Sequence, residues 1–174
     1  MNNSMINGLV KAVCLKSDPG LPKFEAESIH LIEGLGVEGD YHSGKFVRHR
    51  YLAKKDPTRQ NLRQVLIVDS SILEDVANLG IILKPGMLGE NILVDGIKIM
   101  DLSPGTLLEI GSTLLEVTEI RNPCLQLMEI HPNLLKSVAS KVDGKVRRKA
   151  GMMARIIKGG WIRRGDLVIP HVNS

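Results

Sequence analysis

Aromatic side chains are scarce in this chain. They make up 3% of 174 residues, with one Trp, two Tyr and two Phe. The core must therefore be built from Leu, Ile, Val and Met. The same scarcity disfavours a nucleic-acid partner, because single strands are held on aromatic stacking platforms. Cysteine is equally sparse. Cys14 and Cys124 make neither a disulfide framework nor a zinc set, which points to a reducing compartment and a cytoplasmic location. No run approaches the roughly 18 consecutive apolar residues of a membrane-spanning helix. Met1 to Val10 lacks a charged segment followed by an apolar one, so neither a signal peptide nor a membrane partner is expected. A P-loop, a GxGxxG motif after a strand, a Gly-x-Ser-x-Gly elbow and an HExxH helix are also missing. Nucleotide binding or hydrolysis by those devices is thus unsupported.

What remains is ordinary for a globular protein: 43% hydrophobic and 24% charged residues. The length suits a single domain over 1–174, with a core from about residue 10 to 169. A net charge of +4 and a pI near 9.1 suggest an anionic ligand. Much of the excess lies in Lys145-Val146-Arg147-Arg148-Lys149 and Arg163-Arg164, and such runs are most often solvated loops.

The strand signals are many and short. Leu9 to Leu15, Lys23 to Ile32, Gln64 to Val68, Asn91 to Val94, Ala154 to Ile157 and Leu167 to Ile169 read as strands bounded by turn residues. Thr106 to Ile110 and Thr113 to Ile120 form a hairpin around Gly111-Ser112, and Asp95-Gly96 reads as another hairpin-type turn. Ser70 or Ser71 caps a helix through Ile72, Leu73, Val76 and Leu79, stopped by Gly80. Cys124 to Ile130 and Leu134 to Val142 are further short helices. Strands at this spacing with few helices predict a mainly β barrel or sandwich rather than a doubly wound sheet. Gly39 to Asn61 is the least structured stretch, and a connection that long is usually functional or disordered.

Chemistry concentrates at Arg121-Asn122-Pro123-Cys124. Pro123 cannot donate to a ladder and ends the strand before it. That leaves a thiol at a corner, before a helix and three residues after a guanidinium, where a thiolate is stabilised. The alternative is that Cys124 is a small buried hydrophobe. Gly86 to Asn91 is either a tight turn or a ligand loop in which Glu90 and Asn91 supply acceptor and amide groups. Asp40, His42 and His49 could bind a metal but lack any helical or finger spacing, so solvated loop histidines are expected. Arg155 sits among Met152, Met153, Ile156 and Ile157, where a guanidinium needs a phosphate or a structural carboxylate.

Taken in order, these segments resemble the MOSC family, named for the C-terminal domain of molybdenum cofactor sulfurases. The matching stretches are Gly36 to Asp40 with His42, Arg63-Gln64-Val65, and Pro85-Gly86 through Gly89-Glu90-Asn91-Ile92. They continue with Gly111, Arg121 to Cys124, Gly151, Ala154-Arg155, Gly159-Gly160 and Gly165-Asp166. The likeness spans about Val10 to Ile169 and is to a stand-alone bacterial-type member. It implies a β-barrel with a few short helices and a molybdenum-pterin cofactor (molybdopterin). The family cysteine, here Cys124, would carry sulfur as a persulfide or ligate molybdenum, in a protein that could reduce N-hydroxylated compounds. Arg63, Arg121 and Arg155, with Glu90, Asn91 and Asn122, would bind the cofactor. A sulfur donor or redox partner protein is implied as well. Pyridoxal phosphate enters by family association only, since no lysine motif marks a Schiff base. A non-catalytic module for a pterin or another anionic small molecule is the competing reading.

Overall fold

The computed structural model describes residues 7–171, so the reading of Met1 to Val10 falls largely outside the described residues. The chain runs β1 (Gly8–Leu15), β2 (Phe24–Ala26), β3 (Ser28–Ile32), β4 (Gly36–Val37), α1 (Arg50–Lys55), β5 (Val65–Asp69) and α2 (Ser70–Ala77). It continues with β6 (Ile92–Asp95), a 3-10 turn at Ile99–Asp101, β7 (Leu107–Ile110), β8 (Thr113–Ile120), α3 (Leu127–Ile130) and α4 (Leu134–Val138). The last elements are β9 (Ala139–Val142), β10 (Lys145–Arg148), β11 (Met152–Lys158), β12 (Gly160–Arg163) and β13 (Leu167–His171). The expected mainly β architecture is what the chain adopts.

Seven strands close a mixed barrel in the order β13-β7-β8-β11-β5-β6-β1, with β1 returning to β13 through Gly8–Val168 and Leu9–Leu167 pairs. Only β5 and β6 run parallel in it. β2 extends the sheet beyond β1, β12-β3-β4 forms a small second sheet, and β9-β10 a separate hairpin. Closure matters because a closed sheet leaves fewer ladder groups unpaired at an edge.

The barrel buries apolar residues on both faces of its central strands. Val65 and Ile67 point into the interior with Val117, Met152 and Ala154. Leu66 and Val68 point outward with Met153 and Leu93, beneath Ile72 and Val76 of α2, Leu127 of α3, and Leu134 and Val138 of α4. This two-sided burial explains why Val65 to Val68 is a continuous apolar run and not an alternating one. Among the described residues, no helix is long and apolar enough to cross a membrane.

Several local expectations are corrected. The predicted helix over Leu134 to Val142 ends at Val138, and Ala139–Val142 pairs with Lys145–Arg148 instead. Asp143, at φ 51°, and Gly144 make that turn, so the basic run is an ordered, exposed strand. Asp95-Gly96 leads to the 3-10 turn rather than a hairpin. The cap of α2 is Asp69, whose carboxylate accepts from the Ser71 amide at 3.1 Å. Lys23 to Ile32 holds two strands broken at Glu27, and the helix after Cys124 is only Leu127–Ile130. The stretch Gly39 to Asn61 is a flap, with Phe46 bridged to Gln60 at its base and α1 across its tip.

Candidate functional site

A cavity of about 700 Å³ opens on the outer side of the barrel. Leu66 of β5 and Met153 of β11 contribute to its lining, as does Leu135 of α4. The loop before β2, the flap with the residues that lead from it into β5, the loop before β6 and the corner after β8 supply the other walls. Four segments far apart in sequence thus converge where β5, β11 and β8 lie side by side.

The cavity is cationic. Lys23, Arg63 and Arg121 are buried in its wall, and Arg48, Arg50, Arg59 and Arg148 stand exposed on it. Among the described residues Glu119 is the lone lining carboxylate, and Arg63 holds it through Nη1 at 3.0 Å. Arg121 is 6% and Arg63 9% exposed, yet Nη1 of Arg121 and Nε of Arg63 have no hydrogen-bond partner among the described residues. Burial pulls the Arg121 pKa down, an effect that the neighbouring Cys124 and Glu90 oppose and Arg63 reinforces. Buried donors without acceptors are costly. Both residues line the cavity, although the two unpartnered atoms themselves are covered, so an anion would reach these guanidiniums through their other nitrogens or after a small side-chain shift.

Cys124 lies at the end of this wall, exposed, with Sγ 3.8 Å from Gln126 Oε1. The buried-hydrophobe alternative therefore fails for Cys124 and holds for Cys14. Cys14 is fully buried, and desolvation, followed by Glu90 and Glu25, pushes its thiol up to about 12. Asn122 is exposed beside Cys124 and accepts from Arg148 Nη1 at 3.5 Å. The Arg121 amide, bonded to the Gly151 carbonyl at 2.9 Å, anchors the corner to the turn before β11.

Glu90 shapes the cavity from behind its wall, whereas Asn91 lines it. Glu90 is fully buried and outside the lining. Its carboxylate accepts from the Gly86 amide at 2.7 Å and the Leu88 amide at 3.1 Å. Burial drives the Glu90 pKa up against those bonds and against Arg121. Asn91 spends its side-chain amide on the Leu66 amide, the Cys14 carbonyl and Asp40. The 86–91 segment is thus both a tight turn and a cavity wall. Arg155 stands apart: it does not line the cavity, and Nη2 pairs with Glu116 at 2.8 Å.

The histidines depart from the solvated-loop expectation. His42 and His49 both line the cavity with ring centroids 4.6 Å apart. Desolvation, then the positive field of His42, Arg63, Lys23 and Arg121, lowers the His49 pKa to about 3, so its imidazole is neutral. His42 leans on Asp40, through its amide at 3.0 Å and Nδ1 at 3.5 Å. Asp40 also receives Lys23 Nζ at 2.8 Å, which leaves it no room as a metal ligand. Among the described residues, no cluster of three or more His, Cys, Asp or Glu could hold a metal. A metal here would have to arrive carrying ligands of its own, with Cys124 adding one.

Sequence reasoning passed over Lys23, Arg48, Arg50, Tyr51 and Arg59. Only the length of the flap signalled the last four. Lys23 reads as a strand residue because its partner Asp40 is 17 positions away.

No curated protein matches the chain. Solved structures do match in fold. The YuaD protein of Bacillus subtilis aligns with a TM-score of 0.79 at 18% identity, over 98% of this chain and 99% of its own. YiiM of Geobacillus stearothermophilus gives 0.61 at 18% identity, over 97% and 75%. YiiM of Escherichia coli gives 0.62 at 17% identity, over 95% and 71%. In sequence, the MOSC domain matches residues 53–169, from within α1 to β13. That match takes in the corner at Cys124 and both buried arginines, and it is broad enough to settle kinship: the chain belongs to the MOSC domain family, which is associated with molybdenum-cofactor-linked proteins generally.

Proposed function

We propose that the cavity holds a molybdenum-pterin cofactor, with Cys124 as the protein's ligand to the metal, in an enzyme that reduces N-hydroxylated compounds. The observation that carries this reading is the pairing of an exposed Cys124 with Arg121, a buried guanidinium whose Nη1 lacks a partner. A soft thiolate suits a soft, oxo-bearing metal. Arg63 and Arg121 would hold the cofactor's phosphate by charge-assisted hydrogen bonds, and Asn122 would flank it. Glu90 and Asn91 keep the 86–91 wall in shape. Arg155, committed to Glu116, stabilises β11 against β8 instead.

When bound, the metal supplies two-electron chemistry: an N-hydroxylated compound takes up two electrons and two protons and leaves as the amine and water. The chain's own part is to bind, orient and supply protons. His42, held by Asp40, is the imidazole on the cavity wall suited to proton transfer, and neutral His49 lies beside it. Electrons would come from a redox partner protein. An exposed thiol of this kind suits the reducing cytoplasm. Pyridoxal phosphate is less well served, since Lys23 is the lysine in the wall and its amine is held by Asp40.

Metal and pterin analysis of protein made in a molybdenum-competent host, wild type beside Cys124→Ser, tests the reading. Molybdenum present in the wild type and lost from the variant is the expected result. A persulfide on Cys124 without metal would make the chain a sulfur carrier served by a sulfur donor. Pterin retained with no dependence on Cys124 would make it a non-catalytic binding module.

A further inference from the structure

The β9-β10 hairpin stands off the barrel. Seven strands close without it, and among the described residues neither of its strands pairs with any other. Every residue from Ser140 to Lys149 is exposed. The hairpin carries Lys141, Lys145, Arg147 and Arg148 against a single acid, Asp143 at its turn. Lys149, just past it, pairs with Asp75 at 3.8 Å, whereas Lys141, Lys145 and Arg147 make no ion pair among the described residues. Unpaired cations gathered in one place steer an anionic partner towards them. Lysines on an exposed edge also keep strands of different molecules from pairing. That role alone leaves two observations unexplained: an exposed valine, and a contact with the cavity mouth.

Register shows how the hairpin is turned. Lys141 lies opposite Val146, and Ala139 opposite Arg148. Opposed residues share a face, as do residues two apart on one strand. Lys141, Val146 and Arg148 therefore lie on the same face. Arg148 fixes its direction, because the side chain lines the cavity and Nη1 donates to Asn122 beside Cys124. Val146 is 61% exposed, and Leu125 and Met128, just past Cys124, are exposed as well. Apolar residues framed by cations suit a protein with an acidic face, since interfaces have an apolar centre, a polar rim and complementary charge. The hairpin has no aromatic ring on which a base could stack.

We propose that the β9-β10 hairpin, with Leu125 and Met128 beside Cys124, is the docking surface for an acidic electron-transfer protein. Its acids would meet Lys141, Lys145 and Arg148, and its apolar patch would cover Val146. The choice of an electron carrier rests on the cofactor reading, which draws electrons from outside the chain. Each turnover would consume two electrons, one from each of two reduced carriers, and two protons from water. The N–O bond of the N-hydroxylated compound breaks, and the amine and water leave.

Titration calorimetry of the full chain with a flavodoxin, a small acidic flavoprotein, tests the surface. Binding should be measurable at low salt and weaken as salt is raised. Lys141→Glu with Lys145→Glu, at the tip of the hairpin, should weaken it by about tenfold or more. Arg163→Glu with Arg164→Glu makes the same change in net charge away from the cavity lining, and should weaken it by less than about twofold. All four side chains are exposed, and unchanged thermal melting would verify that both variants fold. Equal losses in the two variants would overturn the proposal, because net charge alone would then govern binding. So would no binding at low salt, or binding to phosphatidylserine vesicles in place of flavodoxin, which would assign the hairpin to a lipid surface. Molybdenum and pterin content should not respond to the Lys141 and Lys145 substitutions. Flavodoxin binding without molybdenum in the wild type would therefore sink the cofactor reading and leave the acidic-protein docking surface standing.

Discussion

Lys23 donates to Asp40 across 2.8 Å, with side chains only 5% and 2% exposed. Desolvation alone would raise the Asp40 pKa, but the His42 hydrogen bond and the Lys23 ammonium hold it well below the usual carboxylate range. Desolvation lowers the Lys23 pKa, and Asp40 opposes that. Each member is thus tolerable only with the other in place. Asp40 also ties the flap to β6, through the amide of His42 and the side chain of Asn91.

Asp40→Asn should therefore cost about 3–5 kcal/mol, because it leaves a buried ammonium uncompensated. Lys23→Met with Asp40→Asn should cost less than the two single changes together, as a double-mutant cycle in urea would show. The pH dependence follows from the depressed carboxyl. Its stabilisation is fully present above the unfolded pKa of about 4 and is lost as pH falls towards the lower folded value. Comparing wild type with Asp40→Asn at pH 7 and pH 3 should show the gap narrowing in acid. A constant gap would sink the idea.

His49 adds a second, milder acid sensitivity. Its folded pKa of about 3 lies below the unfolded value near 6.5, so its contribution is intact above 6.5 and is lost as pH falls towards 3. On the order of 1–2 kcal/mol should go between pH 7 and pH 5, and His49→Gln should remove that part of the slope. An oxyanion in the cavity offsets the cations that depress His49, so inorganic phosphate should shift its NMR titration upward. A phosphate-insensitive titration would mean that the anion sits elsewhere.

Gly86 is where the backbone leaves no room for a side chain. Its φ is +86°, and an added Cβ would come 2.2 Å from the Lys23 carbonyl oxygen and 3.4 Å from Cys14 Sγ. The contact is to backbone, which cannot swing aside. Gly34 also has a positive φ, of +71°, but nothing within 4 Å. Gly34→Ala should cost about 1 kcal/mol of conformational strain, and Gly86→Ala several-fold more. Thermal unfolding of the two variants checks this; comparable losses would show that the 86–91 turn yields easily.

How legible the chain was depended on whether the deciding partner lay close in sequence. Val65 to Val68 read correctly because burial on two faces writes a continuous apolar run. The end of the strand before Cys124 read correctly because Pro123 ends a strand whatever surrounds it, but the helix expected from Cys124 begins only at Leu127. The stretch from Leu134 to Val142 misled: Leu134, Leu135 and Val138 carry helical spacing, but Asp143-Gly144 favours a tight hairpin turn and draws Ala139–Val142 into pairing with Lys145–Arg148. The cavity was half visible. Arg63, Arg121 and Cys124 were found through their motifs. Arg48, Arg50, Tyr51 and Arg59 acquire meaning only when the Phe46–Gln60 bridge folds the flap over the wall. Arg155 shows the converse: its sequence setting allowed a phosphate or a carboxylate, and cross-strand register gives it Glu116.

The two cysteines should differ completely towards alkylating agents. Cys124 is exposed, whereas Cys14 is fully buried with its thiol pushed up to about 12. Native protein treated with iodoacetamide near neutral pH should gain a single adduct, on Cys124 by peptide mapping. Cys14 should react only after denaturation. Cys124→Ser should change stability by less than about 0.5 kcal/mol, as expected of an exposed side chain. Labelling of Cys14 in the native state would mean that the 86–91 wall opens on the timescale of the experiment.

Arg121 separates binding from stability most sharply. Its guanidinium is buried against Arg63 with Nη1 unpartnered, a desolvated charge that Cys124 and Glu90 offset only in part. Glu90 would lose that neighbour in Arg121→Met, but it keeps the amides of Gly86 and Leu88. Replacing a poorly paired buried charge by an apolar side chain of similar length is often neutral or stabilising. Without ligand, Arg121→Met should therefore melt at or above the wild-type temperature. With inorganic phosphate the order should reverse, because binding to the folded state stabilises by RT ln(1 + [L]/Kd) and the variant has lost the group that binds. Should Arg121→Met lose more than about 2 kcal/mol without ligand, Arg121 would be a structural residue, since losses of that size come from broken core contacts or networks. The expected crossover instead marks a side chain placed for an anion, at a cost to stability when no anion is bound.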